Sequence, residues 1–216
     1  MSNLLYVIGS PRGPKSESTA IAETFLDAYR EANPAVEVDT LDLWREPLPV
    51  YGPAGVEAKM SVFAGRRPEG EEGDAWSDVL RVFERFNAAD RYLFAVPMWN
   101  HGVPWPLKHL IDTISQPGLI FGFDPEKGYT GLLTGKRAAV IYTSGVYGAG
   151  RGPEFGTDFH ATYFNDWLRF AGVEDVSEVR FQPTIATADA YALRRAAHAE
   201  ARRLGAGFES PELADA

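Results

Sequence analysis

Cysteine is absent from this chain. That removes disulfides, dithiol redox chemistry, thiolate nucleophiles and cysteine-ligated zinc together. Histidine is scarce. His101, His109, His160 and His198 show no zinc-ligand spacing with a carboxylate, so no metal is expected. No apolar stretch approaches the ~20 residues of a membrane-spanning helix, and no membrane partner is expected. Basic residues are the minority charge, 21 against 30 acidic, giving a net charge of −9 that disfavours a nucleic-acid partner. The start, Met1-Ser2-Asn3-Leu4-Leu5, has no basic segment ahead of its apolar residues. No secretory leader is expected, and a cytoplasmic location is. Redox chemistry in such a chain needs an organic cofactor.

The 216 residues that are present suit one α/β domain spanning 1–216. Strand-like apolar runs lie at 4–8, 36–41, 92–96, 137–143 and 176–181. Helical stripes separate them. Ile21, Phe25, Ala28 and Tyr29 share one helix face, and so do Trp76, Val79, Leu80, Phe83 and Phe86. Phe159, Tyr163, Trp167 and Phe170 form a later stripe that stops at Gly172, and 189–204 carries Ala192, Leu193, Ala196 and Ala197. Short apolar strands alternating with helices predict a parallel sheet of five strands, ordered 2-1-3-4-5, with helices on both faces. That order puts the ligand crevice at the carboxyl ends of strands one and three. Two excursions, at about 44–73 and 115–135, exceed minimal connections and are read as functional or assembly loops.

The most informative segment is Pro97-Met98-Trp99-Asn100, after the third strand. Pro97 fixes φ and offers no N–H. The following amides and the Asn100 side chain can meet polar atoms of a flat heterocycle while Met98 and Trp99 lie along it. An ordinary strand-to-helix loop is the competing reading. After the first strand, Gly9-Ser10-Pro11-Arg12-Gly13-Pro14-Lys15-Ser16-Glu17-Ser18-Thr19 leads into a helix near Ser18. Helix N-termini favour phosphate, and the hydroxyls of Ser10, Ser16, Ser18 and Thr19 add donors. Neither a Walker A motif nor G-x-G-x-x-G is present, and a plain helix cap at Ser16 or Ser18 is the alternative. After the fourth strand, Ser144-Gly145-Val146-Tyr147-Gly148-Ala149-Gly150 permits close backbone approach. Three strand ends thus suit one flat, phosphorylated ligand.

These residues resemble the FMN-dependent NADH-azoreductases, also called NADH:quinone oxidoreductases, of the flavodoxin-like superfamily. The match runs from Leu4 to about Leu204. It rests on Pro97-Met98-Trp99-Asn100, on Ser10 with Ser16-Glu17-Ser18, and on Leu132-Leu133-Thr134-Gly135-Lys136-Arg137 leading into Thr143-Ser144-Gly145. The resemblance implies a flavodoxin-like three-layer sandwich with tightly bound FMN. Ser10, Ser16, Glu17 and Ser18 would hold its phosphate, Pro97 to Asn100 its ring, and Ser144, Gly145, Val146 and Tyr147 the ring's polar edge. Relatives often read Ser-Arg-Gly-Gly at that last place. Phe121, Phe123 and Trp167 would wall the substrate pocket, although helix core is an equal reading for Trp167. The implied reaction is ping-pong hydride transfer from NADH or NADPH through FMN N5 to quinones, with reductive cleavage of aromatic azo compounds. The implied assembly is a homodimer. The chemistry lies on the flavin, so no acid–base residue is required. His101 is a candidate proton donor beside the alternative of a pocket-rim histidine. Two other classes compete: a flavodoxin-type FMN electron carrier with no small-molecule substrate of its own, and a hydrolase using Ser10 or Ser16. The hydrolase lacks a His–Asp partnership.

Overall fold

Period-two alternation along the central strands builds two cores back to back. The computed structural model describes residues 3–209. Residues 1–2 and 210–216, at the ends of the expected domain, lie outside the described residues. In chain order the elements are β1 (Asn3–Ile8), α1 (Glu17–Ala32), β2 (Glu37–Asp42), α2 (Pro53–Phe63), α3 (Gly70–Asn87), β3 (Arg91–Pro97), α4 (Trp105–Ile114), β4 (Phe121–Asp124), β5 (Gly128–Gly131), β6 (Arg137–Thr143), α5 (Ala161–Ala171), β7 (Asp175–Phe181) and α6 (Ala190–Gly207). Leu4 and Tyr6 of β1, Leu93 and Ala95 of β3, and Ala139 and Ile141 of β6 pack against Ile21 and Phe25 of α1 and Leu204 of α6. Their neighbours Leu5, Val7, Phe94, Val96, Val140 and Tyr142 face Leu110 of α4 and Phe164 and Leu168 of α5. The central strands are apolar throughout because helices cover both sheet faces.

The main sheet has five parallel strands in the order β2-β1-β3-β6-β7. This differs from the expected 2-1-3-4-5 because the 115–135 excursion is not a plain loop. It folds into a separate antiparallel hairpin, β4-β5, with Phe123 opposite Tyr129. That hairpin takes the fourth and fifth places in chain order. The 44–73 excursion likewise holds α2 and the first turn of α3, and α2 packs on α3. Phe159 falls ahead of α5 and is exposed, so it is not part of that helix's apolar stripe. No helix among the described residues is long and apolar enough to cross a membrane.

α1 and α6 meet at Gly205, where a Cβ would lie 2.2 Å from the Phe25 carbonyl oxygen. Alanine is the better helix former by about 1 kcal/mol, but the clash is with backbone and cannot be relieved by a rotamer. Gly205→Ala is expected to lose about 1–3 kcal/mol of stability in urea unfolding. Unchanged stability would show that the two helices separate freely.

Candidate active site

All three informative loops gather at the carboxyl edge of the sheet, where a doubly wound fold places its ligand. The first is a neutral cradle. Ser16 closes a short 3-10 turn and caps α1, its Oγ accepting from the Thr19 amide at 3.3 Å and lying 3.0 Å from Ser18 Oγ. The amides of Glu17 and Ser18, in the first helical turn, have no intrahelical acceptor, and the positive end of the helix dipole lies there. Ser10, Ser16, Ser18 and Thr19 are all buried. Thr19 Oγ1 has no partner of full hydrogen-bond geometry among the described residues, although the Tyr6 hydroxyl lies beside it. Buried serine hydroxyls beside open helix amides are the donor set a phosphomonoester needs, so these residues fit the phosphate of FMN. The Glu17 carboxylate is engaged away from the cradle, accepting from Arg194 Nε at 2.8 Å. Arg12 and Lys15 point to solvent. Gly9 is required beside the cradle: a Cβ there would come within 2.9 Å of the Ala95 carbonyl oxygen.

The second loop leaves β3 as a tight turn. Met98 N donates to the Thr143 carbonyl at 2.7 Å, and Trp99 and Gly102 exchange backbone hydrogen bonds, both at 2.9 Å. The two residues between them, Asn100 and His101, both have left-handed φ, 48° and 70°. This matches the primed two-residue hairpin, which asparagine tolerates well and histidine less so. Strained non-glycine backbone concentrates at functional sites. Pro97, Met98 and Trp99 are half-buried and Asn100 is exposed, so all four line an accessible edge. His101 is exposed, with its ring against the 150–156 segment near Gly156.

The third loop is built by its neighbours. Ser144 Oγ donates to the Tyr147 carbonyl at 2.6 Å, which closes the turn. Thr184 N and Ile185 N donate to the Ser144 and Gly145 carbonyls at 2.8 and 3.0 Å. With those carbonyls occupied, what the loop offers a ligand is its amides: among the described residues, none of Gly145, Val146 and Tyr147 donates its N–H to the protein. Arg151 holds the arrangement, donating 2.7 Å bonds to the Val146 and Ala186 carbonyls and lying over the Phe155 ring. Arg151 was not legible in the sequence, since nothing in the spacing pairs it with residue 186.

A second unforeseen feature is a tryptophan cluster. Trp44 Nε1 donates to the Gly9 carbonyl at 3.0 Å. Its ring lies 5.4 Å from Trp99 and 5.6 Å from Trp105. The available signal was its position, two residues beyond the end of β2 and hence at the same sheet edge.

The expected pocket walls lie away from the three loops in this chain. Trp167 is buried and stacks on Phe164, with its Nε1 donating to Ser115 Oγ at 2.9 Å. Phe121 is buried against Tyr129 and Phe170. Ser115 follows the far end of α4 and Phe170 lies in the last turn of α5, so both rings sit toward the amino-terminal ends of the strands. They are core residues, not walls of the loops' crevice in the same chain. Phe123 is exposed, but on that same distant hairpin. The aromatic spacing was real; it encodes packing.

Beneath β6 lies His160, fully buried, its ring edge-to-face with Tyr142 at 4.8 Å. Neither ring nitrogen has a partner of full hydrogen-bond geometry. Burial lowers its pKa from the usual 6.5 to about 4, although the Asp158 carboxylate and the Val96 carbonyl pull the other way. Asp158 itself caps α5, accepting from the His160 and Ala161 amides, and pairs with Arg180. Among the described residues no cluster of three or more His, Asp or Glu could hold a metal.

The sheet order and the three loops at its carboxyl edge define a flavodoxin-like protein, and the family model described as "Flavodoxin-like fold" matches residues 2–204. A protein of Ruegeria pomeroyi named FMN-dependent NADH:quinone oxidoreductase is 47% identical over 88% of this chain and 93% of its own length. One of the same name from Nitratidesulfovibrio vulgaris is 41% identical over 96% of this chain and 100% of its own. The crystal structure of an azoreductase from Bacillus anthracis superposes with a TM-score of 0.88 at 27% identity, covering 96% of this chain and 100% of that one. This chain belongs to the flavodoxin-like family of FMN-dependent NADH:quinone oxidoreductases.

Proposed function

We propose that the protein is an FMN-dependent NAD(P)H:quinone oxidoreductase that also cleaves aromatic azo compounds. The observation that carries this is the neutral cradle of the buried Ser10, Ser16 and Ser18 hydroxyls at the N-terminus of α1, set on the same sheet edge as the Met98–Asn100 turn and the open amides of 145–147. The sequence relationship to the quinone oxidoreductases supports it. Bound FMN supplies a two-electron relay between a nicotinamide and an acceptor. The chain's own residues bind and orient. Ser10, Ser16, Ser18 and the Glu17 and Ser18 amides hold the phosphate. Pro97, Met98, Trp99 and Asn100 border the ring. The amides of Gly145, Val146 and Tyr147 point partial positive charge at its polar edge, which favours negative charge developing there.

In balance, NADH, a proton and a quinone give NAD+ and a hydroquinone; an azo bond takes two such rounds and releases two amines. Donor and acceptor use the crevice in turn. Exposed His101 stands at the rim, and solvent there can deliver the proton without it. The exposed hairpin rings Phe123 and Tyr129 support a homodimer, in which they would meet a second copy.

The test is the absorbance spectrum of the purified protein before and after anaerobic NADH. Bands near ~375 and ~450 nm that bleach, with menadione restoring them, are the expected result for a flavin that accepts hydride. A flavin spectrum that NADH leaves untouched would instead mark an electron carrier.

A further inference from the structure

We infer that Trp105 is the stacking platform by which the site prefers acceptors of two or more fused rings, an inference that rests on the oxidoreductase reading. An indole ordinarily buries most of its surface, yet Trp105 is 61% exposed. It is also held. It opens α4 between Pro104 and Pro106, whose fixed φ angles stiffen the backbone on both sides. The Trp44 ring meets it edge to face, 5.6 Å between centroids at 80°. Trp44 is in turn anchored by its bond to the Gly9 carbonyl and by contact with Trp99. The exposed indole is therefore fixed to the cofactor cradle itself. Tyr191 is more exposed, at 73%, but among the described residues its ring neighbour is only Arg195 of the same helix. A rigid, bicyclic face at the rim of a redox site matches a flat acceptor that is wider than one ring. A single-ring acceptor presents too little surface to cover both the flavin and the indole.

The experiment uses the FMN-loaded, oxidised protein and two probes, 1,4-naphthoquinone and 1,4-benzoquinone. Equilibrium dialysis gives the Kd of each, and steady-state NADH oxidation gives KM and kcat. Trp105→Ala is expected to weaken naphthoquinone about two- to tenfold in Kd and KM, the range of one aromatic pair. Benzoquinone and kcat should stay unchanged, the single ring of Trp105→Phe should restore only part of the loss, and Tyr191→Ala should change nothing. An unaltered naphthoquinone Kd in Trp105→Ala overturns the inference. So does an equal weakening of both quinones together with a change of sedimenting mass, which would make Trp105 a subunit contact. If the wild type binds both quinones but oxidises no NADH, the oxidoreductase reading fails, and the dialysis still decides whether Trp105 selects the wider ring.

Discussion

Replacing Ser18 with aspartate is expected to abolish FMN retention, weakening binding by roughly a thousandfold. Ser18 is fully buried in the first turn of α1, 3.0 Å from the capping Ser16 Oγ. A carboxylate there would face the phosphate that we propose for the cradle. Two like charges about 4 Å apart at an effective dielectric near 20 repel by about 4 kcal/mol, which is roughly a thousandfold. The helix N-terminus offsets part of the cost of burying that carboxylate in the empty protein. Ser18→Ala separates the two contributions. It removes one hydrogen bond to a charged group, worth about 1.5–3 kcal/mol, and should weaken FMN by roughly ten- to a hundredfold. Quenching of FMN fluorescence by apoprotein measures both, and urea unfolding without FMN shows whether each variant is folded. If folded Ser18→Asp takes up FMN as the wild type does, the phosphate lies elsewhere.

What the sequence disclosed follows from which interactions are local. The cradle could be read because a helix cap and its hydroxyls lie within four residues of one another. The sheet could be read because a strand covered on both faces must be apolar throughout, as 92–96 and 137–143 are. The left-handed Asn100 was not visible, although asparagine is among the residues that tolerate that conformation. The hairpin at 121–131 was hidden in the spacing of its rings; only the tertiary fold shows that Phe121 and Tyr129 pack on Phe170 at the other end of the sheet. Trp44 and Arg151 act on backbone groups 35 residues away in each case, Gly9 and Ala186. No periodicity encodes contacts of that range. Similar chemistry, an N–H donating to an oxygen, was thus legible at Ser16, whose Oγ accepts from the Thr19 amide, and illegible at Trp44, whose Nε1 donates to the Gly9 carbonyl, for reasons of chain distance alone.

The largest pH effect on stability should come from His160, which no motif singled out. The native state holds it neutral, its pKa lowered to about 4 by burial, whereas the unfolded chain titrates it near 6.5. Between those values the unfolded state binds more protons than the native one, so stability rises with pH there and falls on acidification. Above about pH 6.5 the group contributes no pH dependence; between pH 6.5 and 4 it should cost about 3 kcal/mol, at 1.36 kcal/mol per unit. Asp158, which accepts from the His160 amide, and Arg180, paired with Asp158, are the charges around it, and Arg180 stays protonated throughout the window. His198, also lowered by burial, adds a smaller fall of the same sign. Phenylalanine at 160 keeps a ring against Tyr142 and carries no proton. Urea midpoints of the wild type and His160→Phe should therefore run together at low offset above pH 6.5 and diverge below it, the variant losing less. Parallel curves down to pH 4 would mean that the buried imidazole accepts its proton in place, with water or the Val96 carbonyl reaching it. The acid fall would then belong to the carboxylates.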